Sequence, residues 1–212
     1  PDDKYFAFGG DDSLLRIYTT GDQQLHKQFK LNGMIRNIAW HPSGKKMAVA
    51  TLKNIQLFDM IAEKFETIPA IPAARGMGWN KSGDLLGVAG DGLVYVVTSE
   101  GKLIRSIKKH DQKSYLSLDW NPVNNTIVTG GDEIILFDTT GKQLALIKHR
   151  KEYTGVLATK WHPNGEIFAS GDYGHEREGK PTLLQLWKKD GNPIRSIGGH
   201  HEEIRNLDWN SD

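Results

Sequence analysis

Histidine is the residue in this chain best suited to catalysis or metal binding, and there are eight: His26, His41, His110, His149, His162, His175, His200 and His201. Imidazole works near neutral pH both as a proton acceptor and as a metal ligand. No pair here has the i, i+4 helical spacing of a zinc protease. His41 and His162 each precede a proline and read as turn residues. His200 and His201 are adjacent, so an extended backbone would point them to opposite faces and separate them as ligands. No metal or cofactor is therefore expected. The carboxylate pairs Asp11 with Asp12 and Glu202 with Glu203 lie in loop-like sequence, where solvated turn residues are expected rather than an acid–base pair. "AGDGLVYV" and "GGDD" are glycine-rich, but they precede strand-like runs. They lack the helix N-terminus and the Lys-Ser/Thr of a phosphate-cradling loop.

A second pattern is carried by arginine. Arg36, Arg75 and Arg205 each lie four residues before a tryptophan, at Trp40, Trp79 and Trp209. Two further tryptophans, Trp120 and Trp161, have Leu116 and Leu157 at that place. Guanidinium binds carboxylate and phosphate bidentately, so arginines at one repeated position suit an acidic group on a partner. Tyr115 and Tyr153 lie near the same height and are expected to flank such a site as aromatic contacts.

The elements that must hold these residues follow from the tryptophan spacing. Successive anchors are 39, 41, 41 and 48 residues apart, and the start of the chain joins the series one period before Pro42. Each period of about 41 residues contains four short apolar runs, such as "MIRNIAW", "KKMAVA", "IQLFD" and "KFETI". Runs of this length, rich in β-branched and aromatic residues and bounded by Gly, Asp, Asn or Pro, predict strands. "TTGD", "SEGK", "TTGK" and "KDGN" are expected to place glycine where a tight turn needs positive φ. Four antiparallel strands per repeat predict an all-β fold, a β-propeller of four-stranded blades, with one sheet covering the faces of the next. Residues 1–212 are read as one propeller unit. The chain starts at Pro1, just before a second strand, and ends with a first strand, "EIRNLDW". The expectation is part of a seven-bladed propeller; the alternative is a closed five-bladed ring.

Composition sets the remaining bounds. The chain is 38% hydrophobic and 25% charged with a net charge of +1, which gives no pointer to nucleic acid or a membrane surface. It has no cysteine, which excludes disulfides, thiolate metal sites and a cysteine nucleophile. The compartment is left open, with the cytoplasm favoured.

The repeat resembles the WD-repeat family of β-propellers. The matching residues are His149, Ser170, Asp172 and Trp187 in one period, with weaker matches at His200, His110, Thr129 with Asp132, and Asp12. The Trp-Asp dipeptide itself is absent, and Tyr18, Phe58, Val97 and Phe137 end the third strand elsewhere. The resemblance implies that His149, Ser170, Asp172 and Trp187 form a buried hydrogen-bond network, with imidazole donating to carboxylate and the indole satisfied through the hydroxyl. A His, a Ser and an Asp together look like a hydrolase triad, but a mid-strand serine inside a blade has no oxyanion hole. The resemblance also implies that the insertion "YGHEREGKPT", with Tyr173, His175 and Arg177, opens on the same face as the first-strand starts. The expected function is a non-enzymatic scaffold binding a protein or peptide, acidic in character, through Arg36, Arg75, Arg205, Tyr115, Tyr153, Tyr173, His175 and Arg177. The alternatives are an enzyme at the channel mouth and a structural subunit of a larger assembly. An enzyme would need converging acids or histidines at one height, and the residues before each tryptophan are instead Ala39, Gly78, Asp119, Lys160 and Asp208.

Overall fold

The computed structural model of the chain describes residues 3–69, 71, 74–90, 92–108, 113–150, 155–174 and 181–210. Among these residues all regular structure is β. The first sheet holds β1 (Tyr5–Phe8), β2 (Leu14–Thr19) and β3 (Leu25–Lys30). The second holds β4 (Ile35–Trp40), β5 (Lys46–Thr51), β6 (Ile55–Asp59) and β7 (Lys64–Ile68). The third holds β8 (Gly76–Trp79), β9 (Leu85–Gly90), β10 (Leu93–Thr98) and β11 (Leu103–Ile107). The fourth holds β12 (Tyr115–Trp120), β13 (Ile127–Gly131), β14 (Ile134–Phe137) and β15 (Gln143–Ile147), and the fifth β16 (Val156–Trp161), β17 (Ile167–Asp172), β18 (Thr182–Lys188) and β19 (Pro193–His200). Within each sheet neighbours pair antiparallel in chain order, so every sheet is a simple meander. The architecture is that of successive propeller blades.

The repeated turn after each anchor tryptophan fixes the register. Trp40 faces Met47, Trp79 faces Leu86, Trp120 faces Ile127 and Trp161 faces Phe168. The intervening loops need one left-handed residue, supplied by Gly44 (φ 69), Gly83 (φ 80) and Gly165 (φ 71). "NPVNNT" has no glycine, and Asn125 (φ 59) takes that conformation, as asparagine tolerates it. Between third and fourth strands, Gly101, Gly141 and Gly191 have positive φ as expected. The first such turn differs: Gln23 (φ 56), not Gly21, is left-handed. The Thr19 N–H closes this turn on Gln24 O, five residues on, where Thr98, Asp138 and Lys188 close theirs four residues on, and the extra residue moves the left-handed position along the chain.

Apolar burial runs between sheets. Leu15 and Ile17 pack with Met47, Val49 and Phe58 of the next sheet. Ala48, Ala50, Ile55 and Leu57 meet Leu86, Val88, Tyr95 and Val97. Ala89, Val94 and Val96 meet Leu118, Trp120, Ile127 and Phe137. Val128, Ile134 and Leu136 meet Val156, Trp161, Phe168 and Trp187. A middle strand covered on both faces has no need to alternate, and β5 and β9 are accordingly near-continuous apolar runs.

Polar bonds reinforce each boundary, and these were not foreseen from sequence. The indole N–H of Trp79 donates to Ala39 O at 3.1 Å, that of Trp120 to Gly78 O at 2.8 Å and that of Trp209 to Lys160 O at 3.1 Å. In the opposite sense, His41 Nε2 lies 2.8 Å from Gly83 O, and Asn121 Nδ2 donates to Gly165 O at 2.8 Å. Trp40 and Trp161 make no such bond among the described residues, and the Nε1 of Trp161 is buried without a partner there. A buried bond of this kind contributes about 1 kcal/mol net. Trp120→Phe should therefore destabilise the chain by about 1 kcal/mol more than Trp161→Phe, since both lose the same ring volume. Urea denaturation of the two variants measures the difference, and equal losses would show that the indole bonds contribute nothing.

The first sheet has three strands, as expected of a chain that begins just before a second strand. One expectation is corrected. The segment "EIRNLDW" has no ladder, because no strand of the described chain pairs with it. It nonetheless lies beside β16 as an innermost strand would: Ile204 N donates to Asp172 O at 3.1 Å, and Trp209 meets His162 edge-on at 4.8 Å, as Trp79 meets His41.

Candidate functional site

The innermost strands β4, β8, β12 and β16 and the segment around Arg205 surround a central depression. At its mouth is a cavity of about 740 Å³ lined by Arg36, Arg75 and Arg205, together with Lys113, Leu116, Leu157 and Tyr173. All three guanidinium-bearing residues are exposed. Arg75 is held by its backbone: its N–H donates to Ala89 O at 2.9 Å, and its carbonyl accepts from Asn37 Nδ2 at 3.0 Å. That second bond crosses from β4 to the start of β8 and sets Arg36 and Arg75 side by side.

The three arginines are not equivalent. Arg205 Nε lies 2.7 Å from Glu203 Oε2, so one cation of the set is neutralised by its own segment. Among the described residues no carboxylate pairs with Arg36 or Arg75. Lys113, which sequence reasoning passed over, adds a fourth cation. Its backbone and that of Ser114 are fixed by the Asp132 carboxylate, at 2.6 and 3.2 Å.

The aromatic residues divide. Tyr173 is 42% exposed at the mouth and packs its ring against Gly155. Tyr115 lines the cavity but is only 2% exposed, buried in the core between the third and fourth sheets, which corrects its expected place as a surface contact. The register to β13 slips between Tyr115 and Ser117, and this irregularity at Leu116 leaves Tyr115 inward and Leu116 at the mouth. Tyr153, His175 and Arg177 lie outside the described residues.

Below the mouth a second, more polar cavity of about 660 Å³ continues between the same strands. Asp119 and Lys160 occupy its wall, with Lys160 Nζ 3.3 Å from Asp119 Oδ1 and Trp161 N–H donating to Asp119 Oδ2 at 2.7 Å. Burial pushes the Asp119 carboxyl above its ordinary value, against the pull of Lys160 and of that N–H. Ser117 and Thr159 hydroxyls join β12 to β16 at 3.0 Å. These groups bond across blade boundaries rather than converging on a common point. Among the described residues there is no group of three or more His, Cys, Asp or Glu placed to hold a metal.

The His149, Ser170, Asp172 and Trp187 set meets inside the fifth sheet. Ser170 is 0% exposed; its Oγ lies 2.9 Å from His149 Nδ1 and accepts the Trp187 indole N–H at 2.7 Å. His149 Nε2 lies 3.2 Å from Leu183 O, which requires the proton on Nε2 and makes Nδ1 the acceptor of the serine hydroxyl. Nε2 also lies 3.3 Å from Asp172 Oδ2, so the imidazole N–H that faces the carbonyl faces the carboxylate as well. Asp172 Oδ1 accepts the N–H groups of Leu183 at 2.8 Å and Gly174 at 3.1 Å, and Oδ2 is paired with the Arg150 guanidinium. Burial opposes ionisation of Asp172, but His149, the Leu183 N–H and Arg150 outweigh it and hold the carboxyl below its ordinary 3.8. Arg150 was missed because its spacing carries no signal; only the fold brings it onto the carboxylate. A serine so enclosed presents no attacking oxygen to a substrate.

Tandem antiparallel sheets sharing cores face to face, one of them tied by a His–Ser–Asp–Trp network, define a β-propeller of the WD-repeat type. The family described as "Eukaryotic translation initiation factor eIF2A" matches residues 2–132, well over half of the chain, and the chain belongs to that family. It is also similar to the serine-threonine kinase receptor-associated protein of Gallus gallus, at 22% identity over 194 residues, 88% of this chain and 52% of that protein. The protein of the same name from Homo sapiens is 21% identical over 201 residues. The chromatin assembly factor 1 subunit FAS2 homolog of Oryza sativa subsp. japonica is 26% identical over 120 residues, 50% of this chain and 23% of that protein. The chain thus spans about half the length of the first of these relatives and about a quarter of the last.

Proposed function

We propose that this chain is a non-enzymatic protein-interaction module that binds an acidic segment of a partner protein at the mouth formed by Arg36, Arg75 and Arg205. The observation that carries the reading is the gathering of these side chains, from three separate repeats, around one open cavity on a rigid scaffold. Loops and strand ends on such a frame are free to specialise in recognition, because the stacked cores do the folding. The relatives' names support the general role: one is receptor-associated, another is an assembly-factor subunit, and the family is named for initiation of translation. These processes differ, and association with other proteins is what they share.

The test compares the wild-type chain with the triple variant Arg36→Ala, Arg75→Ala, Arg205→Ala by cross-linking capture and mass spectrometry. The expected result is a partner cross-linked through mouth residues and lost from the triple variant. Equal capture by both proteins, with matching thermal melts, would overturn the site.

A further inference from the structure

We infer that the mouth recognises two features of one peptide together: a side-chain carboxylate held by Arg36 and Arg75, and a large aliphatic side chain seated opposite on Leu116, Leu157 and Tyr173. This rests on the reading above and specifies the partner's chemistry. The five equivalent positions run, in chain order, Arg36, Arg75, Leu116, Leu157 and Arg205. The order sets a pair of arginines beside a pair of leucines, with Lys113 a further cation next to Leu116. Leu116 and Leu157 are half-buried, and Tyr173 extends their sector outward over Gly155. An acidic ligand with nothing apolar would leave that sector wet; an apolar ligand would leave two guanidiniums unmatched.

The charge arrangement selects a carboxylate. Arg205 already carries one, from Glu203 at 2.7 Å, and this is the chain's own example of the contact. Among the described residues Arg36 and Arg75 lack the equivalent, and the bond from Asn37 to the Arg75 carbonyl ties β4 to the residue that leads into β8. Two adjacent guanidiniums match the two oxygens of one carboxylate. A nucleic acid would need a basic track with exposed stacking rings. Here, of the two rings that line the mouth, only Tyr173 is exposed while Tyr115 is buried, and the net charge of the chain is only +1.

The experiment is fluorescence anisotropy with the full chain at low salt. The probe is a fluorescein-labelled Gly/Ser nonapeptide carrying a central Asp-Glu pair and a Leu two residues further on. Saturable binding is expected, weakened about tenfold when Leu is replaced by Ser and about tenfold when Asp-Glu is replaced by Asn-Gln. Arg36→Ala and Arg75→Ala should each weaken it about tenfold, Arg205→Ala by less than about threefold, and Arg105→Ala on the exposed face of β11 not at all. Leu157→Ser should abolish the preference for Leu over Ser in the peptide, the mark of direct coupling. Thermal melts identify any variant that fails to fold. Absence of saturable binding, equal binding of the Leu and Ser peptides, tighter binding of a phosphoserine peptide, or displacement of the probe by a short uridine-rich RNA would overturn the inference. Loss of partner capture in the triple arginine variant alongside indifference to Leu would leave the binding face standing and remove only the two-part specificity.

Discussion

Asp172→Ala should lower the stability of the chain by about 3–5 kcal/mol, the range for breaking a buried charge pair by removing one partner. The carboxylate is fully buried and ties four groups: His149, Arg150, and the N–H groups of Leu183 and Gly174. Its removal leaves the Arg150 guanidinium, only 13% exposed, without its counter-ion. The pH dependence follows the same bond set. Because the folded-state pKa of Asp172 lies below its ordinary 3.8, its contribution is fully present above that value and is lost as pH falls further, through the folded pKa. Urea midpoints for wild type and Asp172→Asn, measured from pH 7 downward past 3.8, should therefore keep their separation above that value and draw together below it. A constant gap across the series would show that charge is not what the residue contributes.

Gly76→Ala should be nearly as damaging, at about 3 kcal/mol, the upper end for overpacking. An added Cβ would lie 2.6 Å from Leu118 N and from Ser117 C and Cα, all backbone atoms of the neighbouring innermost strand. A side chain could rotate away from such a clash; a strand has to move bodily. Gly78→Ala, two residues along the same strand, is the matched control, because its nearest foreign atom would be Trp120 Cδ1 at 4.0 Å. It should cost under about 1 kcal/mol. Denaturation midpoints that rank the two glycines equally would show that the β8 to β12 approach is not tight. Since Arg75 immediately precedes Gly76, the same change should also widen the mouth and weaken the acidic probe.

The repeat was readable because a sheet covered on both faces leaves a strong sequence signature: apolar middle strands such as β5, tryptophan at a fixed place before each turn, and glycine where φ must be positive. What a boundary does with those residues was not readable. The indole of Trp120 finds Gly78 O only once it is known which blade lies beside which, and nothing in the sequence sets Trp161 apart as an indole buried without a partner among the described residues. The candidate site was legible to the same depth. Equal spacing before the tryptophans put Arg36, Arg75 and Arg205 at one height, but it could not reveal that Glu203 occupies Arg205. Tyr115 was misplaced because its side chain takes the inward side of the pleat, an orientation decided by a single residue of register. "EIRNLDW" reads as a strand by composition, yet a ladder needs a run of bonds to a second backbone, and among the described strands it meets one at Asp172 O alone.

The bonds that cross from each repeat to the next bear on how the molecule comes apart. Trp79 reaches back to Ala39 while His41 reaches forward to Gly83, so a seam is buttoned from both sides and neither neighbour can loosen alone. The third sheet is fastened in this way on both sides, to the second through Trp79 and His41 and to the fourth through Trp120 and Gly78, so freeing it means undoing two seams at once, as with a page bound between two others.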